Sequence, residues 1–219
     1  MQGYIDAKLL YASSLKSGKL IARNFHRGDS VQIGDVLFEL DPEPEKTALA
    51  LGKEKVENIK SGLIDLEKEQ SKPSFDQSQL ETLEADLKKL QWEYDQKKVK
   101  SSVAGTIFDY YYEVGENVPP YKPVLSILYP EEIRAIFYVS EPELTQLKVG
   151  EKVKILCDGC GNDLIGTISF ISPIAEYTPP VIYSVDRRSE LVFRVEAKFN
   201  PNEISTIHMG LPIEIEPVR

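Results

Sequence analysis

The chain has 219 residues, room for one large domain or two to three small ones, and its 42% hydrophobic and 28% charged residues are those of an ordinary globular protein. A net charge of −9 argues against a nucleic-acid partner, which needs a basic face, and against electrostatic docking on anionic lipid. Apolar runs such as Ala135–Val139 fall far short of the roughly 20 residues of a membrane-spanning helix, and Met1–Asp6 lacks the charged start and apolar stretch of a leader peptide.

Three kinds of sequence follow one another. Residues 1–41 read as β, with short apolar segments punctuated by glycine. Residues 42–100 read as helix. Leu49, Val56, Ile59, Leu63 and Leu66 form one heptad seam, and Leu80, Leu83, Leu87, Leu90 and Tyr94 form a second. Between the seams Pro73 disfavours helix at Lys72, and Ser74 or Asp76 is placed to cap the second helix. The pattern predicts an antiparallel coiled-coil hairpin with arms of about 24–28 residues, roughly 36–42 Å at 1.5 Å per residue. Residues 101–219 read as β again.

An internal repeat brackets the hairpin. Gly18 is followed ten residues later by Gly28-Asp29-Ser30-Val31, and Gly105 ten residues later by Gly115-Glu116-Asn117-Val118. Beyond these, Gly34–Leu40 is matched to Lys122–Ile127 with an offset of one residue. The spacing predicts two equivalent β-units, with Gly18, Gly28, Gly34, Gly105 and Gly115 at turns. Neither unit alone has enough strands to bury a face, so together they make a small sandwich.

Candidate chemistry is sparse. No glycine pair has phosphate-loop spacing, so no cofactor site is expected. Asp41, Glu43 and Glu45 read as acids favoured in a first helical turn rather than as catalytic carboxylates. His26 and His208 are isolated, so neither a catalytic set nor a metal site is expected. Tyr110 and Tyr112 would share one face of a strand, with Tyr111 on the other, and Tyr110, Tyr112 and Tyr121 are candidate subunit contacts. Cys157-Asp158-Gly159-Cys160 carries a two-residue hairpin turn that sets the cysteines opposite one another.

Two G-x9-G-[DE]-x-V halves resemble biotinyl and lipoyl domains, with the turn that bears the modified lysine replaced by the hairpin. A lipoyl-like domain split in this way resembles the HlyD-like membrane fusion proteins. The segments Ile133–Val139, Ser140–Leu144, Val149–Val153, Gly166–Pro173, Val192–Ala197 and Met209–Ile215 are similar to that family's β-barrel, in which a strand precedes a short helix and a glycine turn. Glu176–Ser184, with the Cys-Asp-Gly-Cys stretch, resembles the subgroup that works with ABC-2-type permeases.

The resemblance implies a mostly β fold with a helical hairpin in three modules. These are a split lipoyl-like sandwich (9–41 and 101–128), a coiled-coil hairpin (42–100) and a β-barrel (129–219, with 1–8 adjoining). It implies a periplasmic, non-enzymatic adaptor of an ABC-type export or efflux system. The expected anchor is an N-terminal segment outside this chain, and the expected assembly is a ring. An inner-membrane ABC-type permease is the implied partner, with an outer-membrane channel as a second. In an oxidising periplasm Cys157 and Cys160 should then pair. Adaptors that meet a TolC-like channel often carry at the hairpin tip an Arg, a Leu four residues on and a Ser seven beyond. Here Leu63 has Ile59 and Gln70 at those places, and Leu66 has Gly62 and Pro73, a departure that argues against docking of that kind. The rival readings are a lipoyl or biotinyl carrier and a coiled-coil scaffold without a transporter.

Overall fold

A computed structural model describes residues 1–68, 77–158, 164–177, 191–199 and 208–218, with side chains left out at 62–68 and at 77 and 78. In chain order the elements are β1 (Gln2–Ser13), β2 (Gly18–Arg23), β3 (Ser30–Val31), β4 (Val36–Leu40), α1 (Glu43–Lys68), α2 (Gln77–Asp95), β5 (Lys98–Lys100), β6 (Gly105–Tyr110), β7 (Asn117–Val118), β8 (Pro123–Val139), α3 (Glu141–Leu144), β9 (Lys152–Leu156), β10 (Leu164–Tyr177), β11 (Leu191–Phe199) and β12 (Pro212–Pro217). They fall into two compact units, Tyr11–Ile127 and Met1–Leu10 with Leu128–Arg219, so β1 and β8 contribute residues to both.

In the second of these units the strands run β1-β12-β9-β10-β11-β8, and β8 pairs with β1 to close a six-stranded barrel. Alternate residues point inward as the period of two demands. Ile133, Ala135, Phe137 and Val139 of β8 meet Val195, Ala197 and Phe199 of β11, Val153 and Ile155 of β9, and Ile213 and Ile215 of β12. Each large side chain buried here contributes about 1.5–3 kcal/mol. Gly3 lies so close to β8 that a Cβ there would overlap the Ile136 carbonyl and the Phe137 backbone. After β8, Glu143 turns back to accept a hydrogen bond from the Ser140 N–H at 3.0 Å, capping the single turn of α3. The strand, short helix and glycine turn expected at 133–153 are therefore present in that order.

The Tyr11–Ile127 unit holds a four-stranded sheet, β5-β4-β2-β7, and the β3–β6 pair. Its two halves are equivalent, and the structure corrects the expected one-residue slip between them. The stride that carries Gly28 to Gly115 also carries Gly34 to Tyr121. Gly34 donates to Ser101 O and Tyr121 to Ser14 O, both at 2.8 Å, and Ser14 stands one stride before Ser101. The buried residues pair off under the same operation: Leu20 with Ile107, Val31 with Val118, Leu37 with Val124, Phe38 with Leu125, Leu40 with Ile127. The slip was suggested by matching glycine to lysine. Tyr121 occupies glycine's place with φ of 62°, a conformation that sequence comparison does not anticipate for tyrosine.

A second correction concerns the turns. Gly28, Gly34 and Gly115 have φ of 93°, 93° and 103°, but Gly18 and Gly105 open strands β2 and β6. The positive-φ glycines belong to one clasp. In His26-Arg27-Gly28-Asp29, the Asp29 carboxylate accepts the His26 N–H at 2.6 Å, and the Asp29 N–H returns to His26 O at 3.1 Å. Gly28 and Asp29 then exchange a hydrogen-bond pair with Ile107 of β6. Gln32–Asp35, Glu113–Glu116 and Lys148–Glu151 repeat every one of these bonds, against Ser101, Leu20 and Ile168. The fourth, in the barrel, is the same device as the three in the other unit.

Candidate functional site

The hairpin and the strands at its root are the candidate functional region. α1 spans 26 residues and α2 spans 19. Leu49 and Val56 are buried, while Ile59, Leu80, Leu83, Leu87, Leu90 and Tyr94 are half-buried. The side chains of Leu63 and Leu66 lie outside the described residues. The seam also contains a residue that the heptad reading passed over. Gly52 fills the position between Leu49 and Val56, and a Cβ there would stand 2.9 Å from Leu90 Cδ1. Lys60 and Glu84 bridge the two helices at 2.7 Å, and this bond holds the Glu84 carboxyl below its ordinary value.

The hairpin ends at Asp95 rather than at residue 100. Lys98–Lys100 already pair with β4, Val36 facing Lys100 and Glu39 facing Lys98. At the crossover Leu40 donates to Lys97 O at 2.8 Å, and Asp41 donates to Lys19 O at 2.8 Å. Between these strands lies Lys97, with a side chain 4% exposed. Its ammonium is 2.8 Å from Glu45 Oε1 on α1 and donates to Ser17 O at 2.8 Å. A Cβ on Gly18 would be 3.2 Å from Lys97 Nζ, so the glycine leaves the ammonium its space. Glu45 is thus an ion-pair partner as well as a first-turn acid. The sequence carries no signal for this: in Lys97-Lys98-Val99-Lys100 all three lysines read as solvated.

Ser14–Ser17, the loop from β1 to β2, adds further ties. Ser14 Oγ donates to Gln96 O at 3.2 Å. Lys16 pairs with Glu93 at 2.7 Å, lowering that carboxyl's pKa, and its ammonium lies 5.8 Å from the Trp92 ring centre.

The nominated tyrosines separate. The strand ends at Tyr110, whose hydroxyl donates to Phe25 O at 2.9 Å and whose ring stacks under Arg23 at 4.7 Å. Burial pushes its phenol above the ordinary value. Tyr112 is half-buried and gives its carbonyl to Arg23. Tyr121 is 71% exposed. Tyr111, not nominated, is also exposed; it lies 6.2 Å from the Tyr11 ring and donates to Ser126 Oγ. Cys157, at the end of β9, packs on the barrel core and is disulfide-bonded, whereas Cys160 lies outside the described residues. Thr178–Ser184, part of the stretch used for the subgroup resemblance, also lies outside them. Among the described residues no cluster of metal-ligating side chains occurs, and no helix is long and apolar enough to cross a membrane.

No protein-family model matches the chain. A "UPF0194 membrane protein in asrC 5'region" of Acidithiobacillus ferridurans is 29% identical over 138 residues, 63% of this chain and 40% of that protein. A UPF0194 membrane protein of Enterobacter sp. is 32% identical over 93 residues, 42% of this chain and 27% of that protein. The chain therefore spans less than half the length of these curated relatives. Among solved structures, the membrane fusion protein Spr0693 from Streptococcus pneumoniae R6 matches with a TM-score of 0.68 at 18% identity, over 99% of this chain and 98% of that one. A MacA-MexA chimera carrying the Pseudomonas aeruginosa MexA α-hairpin domain matches with a TM-score of 0.70 at 16% identity, over 98% and 78%. The periplasmic adaptor EmrA matches with a TM-score of 0.54 at 14% identity, over 98% and 97%. The fold is that of membrane fusion proteins, or periplasmic adaptors, mostly β with a helical hairpin.

Proposed function

We propose that the chain is a non-enzymatic adaptor in an ABC-type export or efflux system, working in the periplasm beside a permease of the ABC-2 type. The observation that carries this reading is the likeness to adaptor structures over 98% or more of the chain, hairpin and barrel included. The chemistry fits a coupler that acts through packed surfaces. The hairpin presents a charged exterior over a narrow apolar seam, and α1 alone reaches about 39 Å at 1.5 Å per residue. Assembly is a ring of copies, closed by head-to-tail contacts around a conduit, with Tyr121 at the contact. Self-repulsion at a net charge of −9 keeps the isolated chain monomeric or weakly associated until a permease gathers the copies.

The test is crosslinking in cells, followed by purification on a tagged ABC-2-type permease from the same organism. The expected result is co-purification of the chain as a ladder of crosslinked copies, with export lost when the chain is deleted. Export that continues without the chain would overturn the reading. A lipoyl or biotinyl group on any lysine, seen by mass spectrometry, would instead support the carrier.

A further inference from the structure

A small polar cluster sits where the hairpin joins its β-unit. Lys97 stands two residues past the end of α2, and its ammonium is held by Glu45 of α1 and by the Ser17 carbonyl of the β1–β2 loop. One lysine thus links three chain segments: the start of α1, the end of α2 and the loop. The same loop reaches back to α2 through Ser14 Oγ to Gln96 O and through Lys16 to Glu93.

The loop is also the pseudo-symmetric mate of the segment that starts at Ser101, which carries no such load. There the serine hydroxyl closes locally on Val103 O, at 2.6 Å. In the first half the equivalent serine, Ser14, keeps the matching local bond, accepting the Lys16 N–H at 3.1 Å as Ser101 accepts the Val103 N–H at 3.4 Å, but its own hydroxyl donates to Gln96 O at the hairpin root. The departure from symmetry falls where the hairpin leaves the sheet.

The lock is not built for maximum strength. Glu45 Oε2 is buried with no hydrogen-bond partner, so the carboxylate grips through one oxygen only. A buried ion pair of this kind adds little net stability over an apolar replacement, because desolvation offsets its attraction. What it does supply is position: a buried ammonium tolerates only the geometry in which its acceptors are met.

The geometry points to Lys97 as a latch that fixes the angle at which the hairpin leaves its β-unit, with release converting Asp41–Pro42 and Gln96–Lys97 into a hinge. This deepens the adaptor reading, in which the hairpin is the lever, but its test involves no transporter and so fails or succeeds separately. Nitroxide labels at Ser61→Cys and Ser102→Cys, both exposed and both within the Tyr11–Ile127 unit, report the angle as a distance distribution by electron double resonance. The background is Cys157→Ala/Cys160→Ala. The latched chain should give one narrow distribution. Lys97→Met, which keeps the apolar stem and removes the ammonium, should at least double its width or add a second population while the helical circular-dichroism signal is retained. Glu45→Gln, which keeps the shape and removes the charge, should broaden it as well. If Lys97→Met loses its helical signal, Glu45→Gln decides. A distribution as narrow as the parent's in a folded variant would overturn the latch.

Discussion

Gly52 of α1 is seated against Leu90 of α2, with room between them for a hydrogen but not for a methyl group in the present rotamer. The contact is to the far end of a half-buried leucine, which can turn away. Gly52→Ala should therefore gain most of the helix propensity that alanine holds over glycine, a stabilisation of up to about 1 kcal/mol. Thermal unfolding followed at 222 nm measures it. A loss of more than about 1 kcal/mol would mean that the seam is rigid at this level.

Leu87→Asp sets an unpaired charge in the same seam, at a cost of about 2–3 kcal/mol for a half-buried site. The helical signal should fall while the β-sheet signal stays. Joint loss of both would show that the strands need the hairpin in order to fold.

Acid should loosen the hairpin. Lys16 and Lys60 lower the folded-state pKa values of Glu93 and Glu84. Their stabilisation is therefore complete above the unfolded glutamate value of about 4.3, and it is lost as pH falls through the lower folded values. Helicity should decline below about pH 4.3, and less steeply in Lys60→Met, which has one pair fewer to lose. An identical acid profile for the two proteins would remove the Lys60–Glu84 pair from the account.

Tyr121 holds a left-handed backbone conformation, at φ of 62°, that asparagine adopts more readily. Tyr121→Asn should leave the isolated chain at least as stable, by up to about 1 kcal/mol, while reducing crosslinking between copies on the permease. Reduced stability with unchanged crosslinking would assign the tyrosine to the fold instead.

Cys157 and Cys160 should yield no free thiol in protein taken from an oxidising compartment. Reducing a loop of this size should shift the melting temperature only slightly, since little chain entropy is released. Two titratable thiols before reduction would reject the pairing.

The sequence made some features legible because they depend on local repetition. The heptads announced the hairpin, and Gly28 and Gly115 announced the paired halves. Gly52 was hidden because it adds no apolar side chain to the heptad pattern, although it stands in the seam against Leu90. Lys97 was hidden because burial of a charge depends on segments far away in the chain, Ser17 and Glu45. The equivalence of Tyr121 to Gly34 was hidden because a tyrosine gives no sign of a left-handed backbone, and here the backbone keeps its shape under a different side chain.

The crossover at the hairpin root also bears on how the chain folds. The two halves of the β-unit lie far apart in sequence, and joining such halves through an unstructured loop is slow, because closure entropy must be met before any contact forms. The intervening stretch is a pair of helices, which form and pack on far shorter timescales than long-range strands. Once they have paired, Leu40 and Lys97 are neighbours, and the 2.8 Å bond from one backbone to the other starts the β4–β5 ladder. The inserted hairpin thus serves as a guide that delivers the second half to the first. Variants that weaken its seam should slow refolding of the β-unit while leaving its unfolding rate almost unchanged.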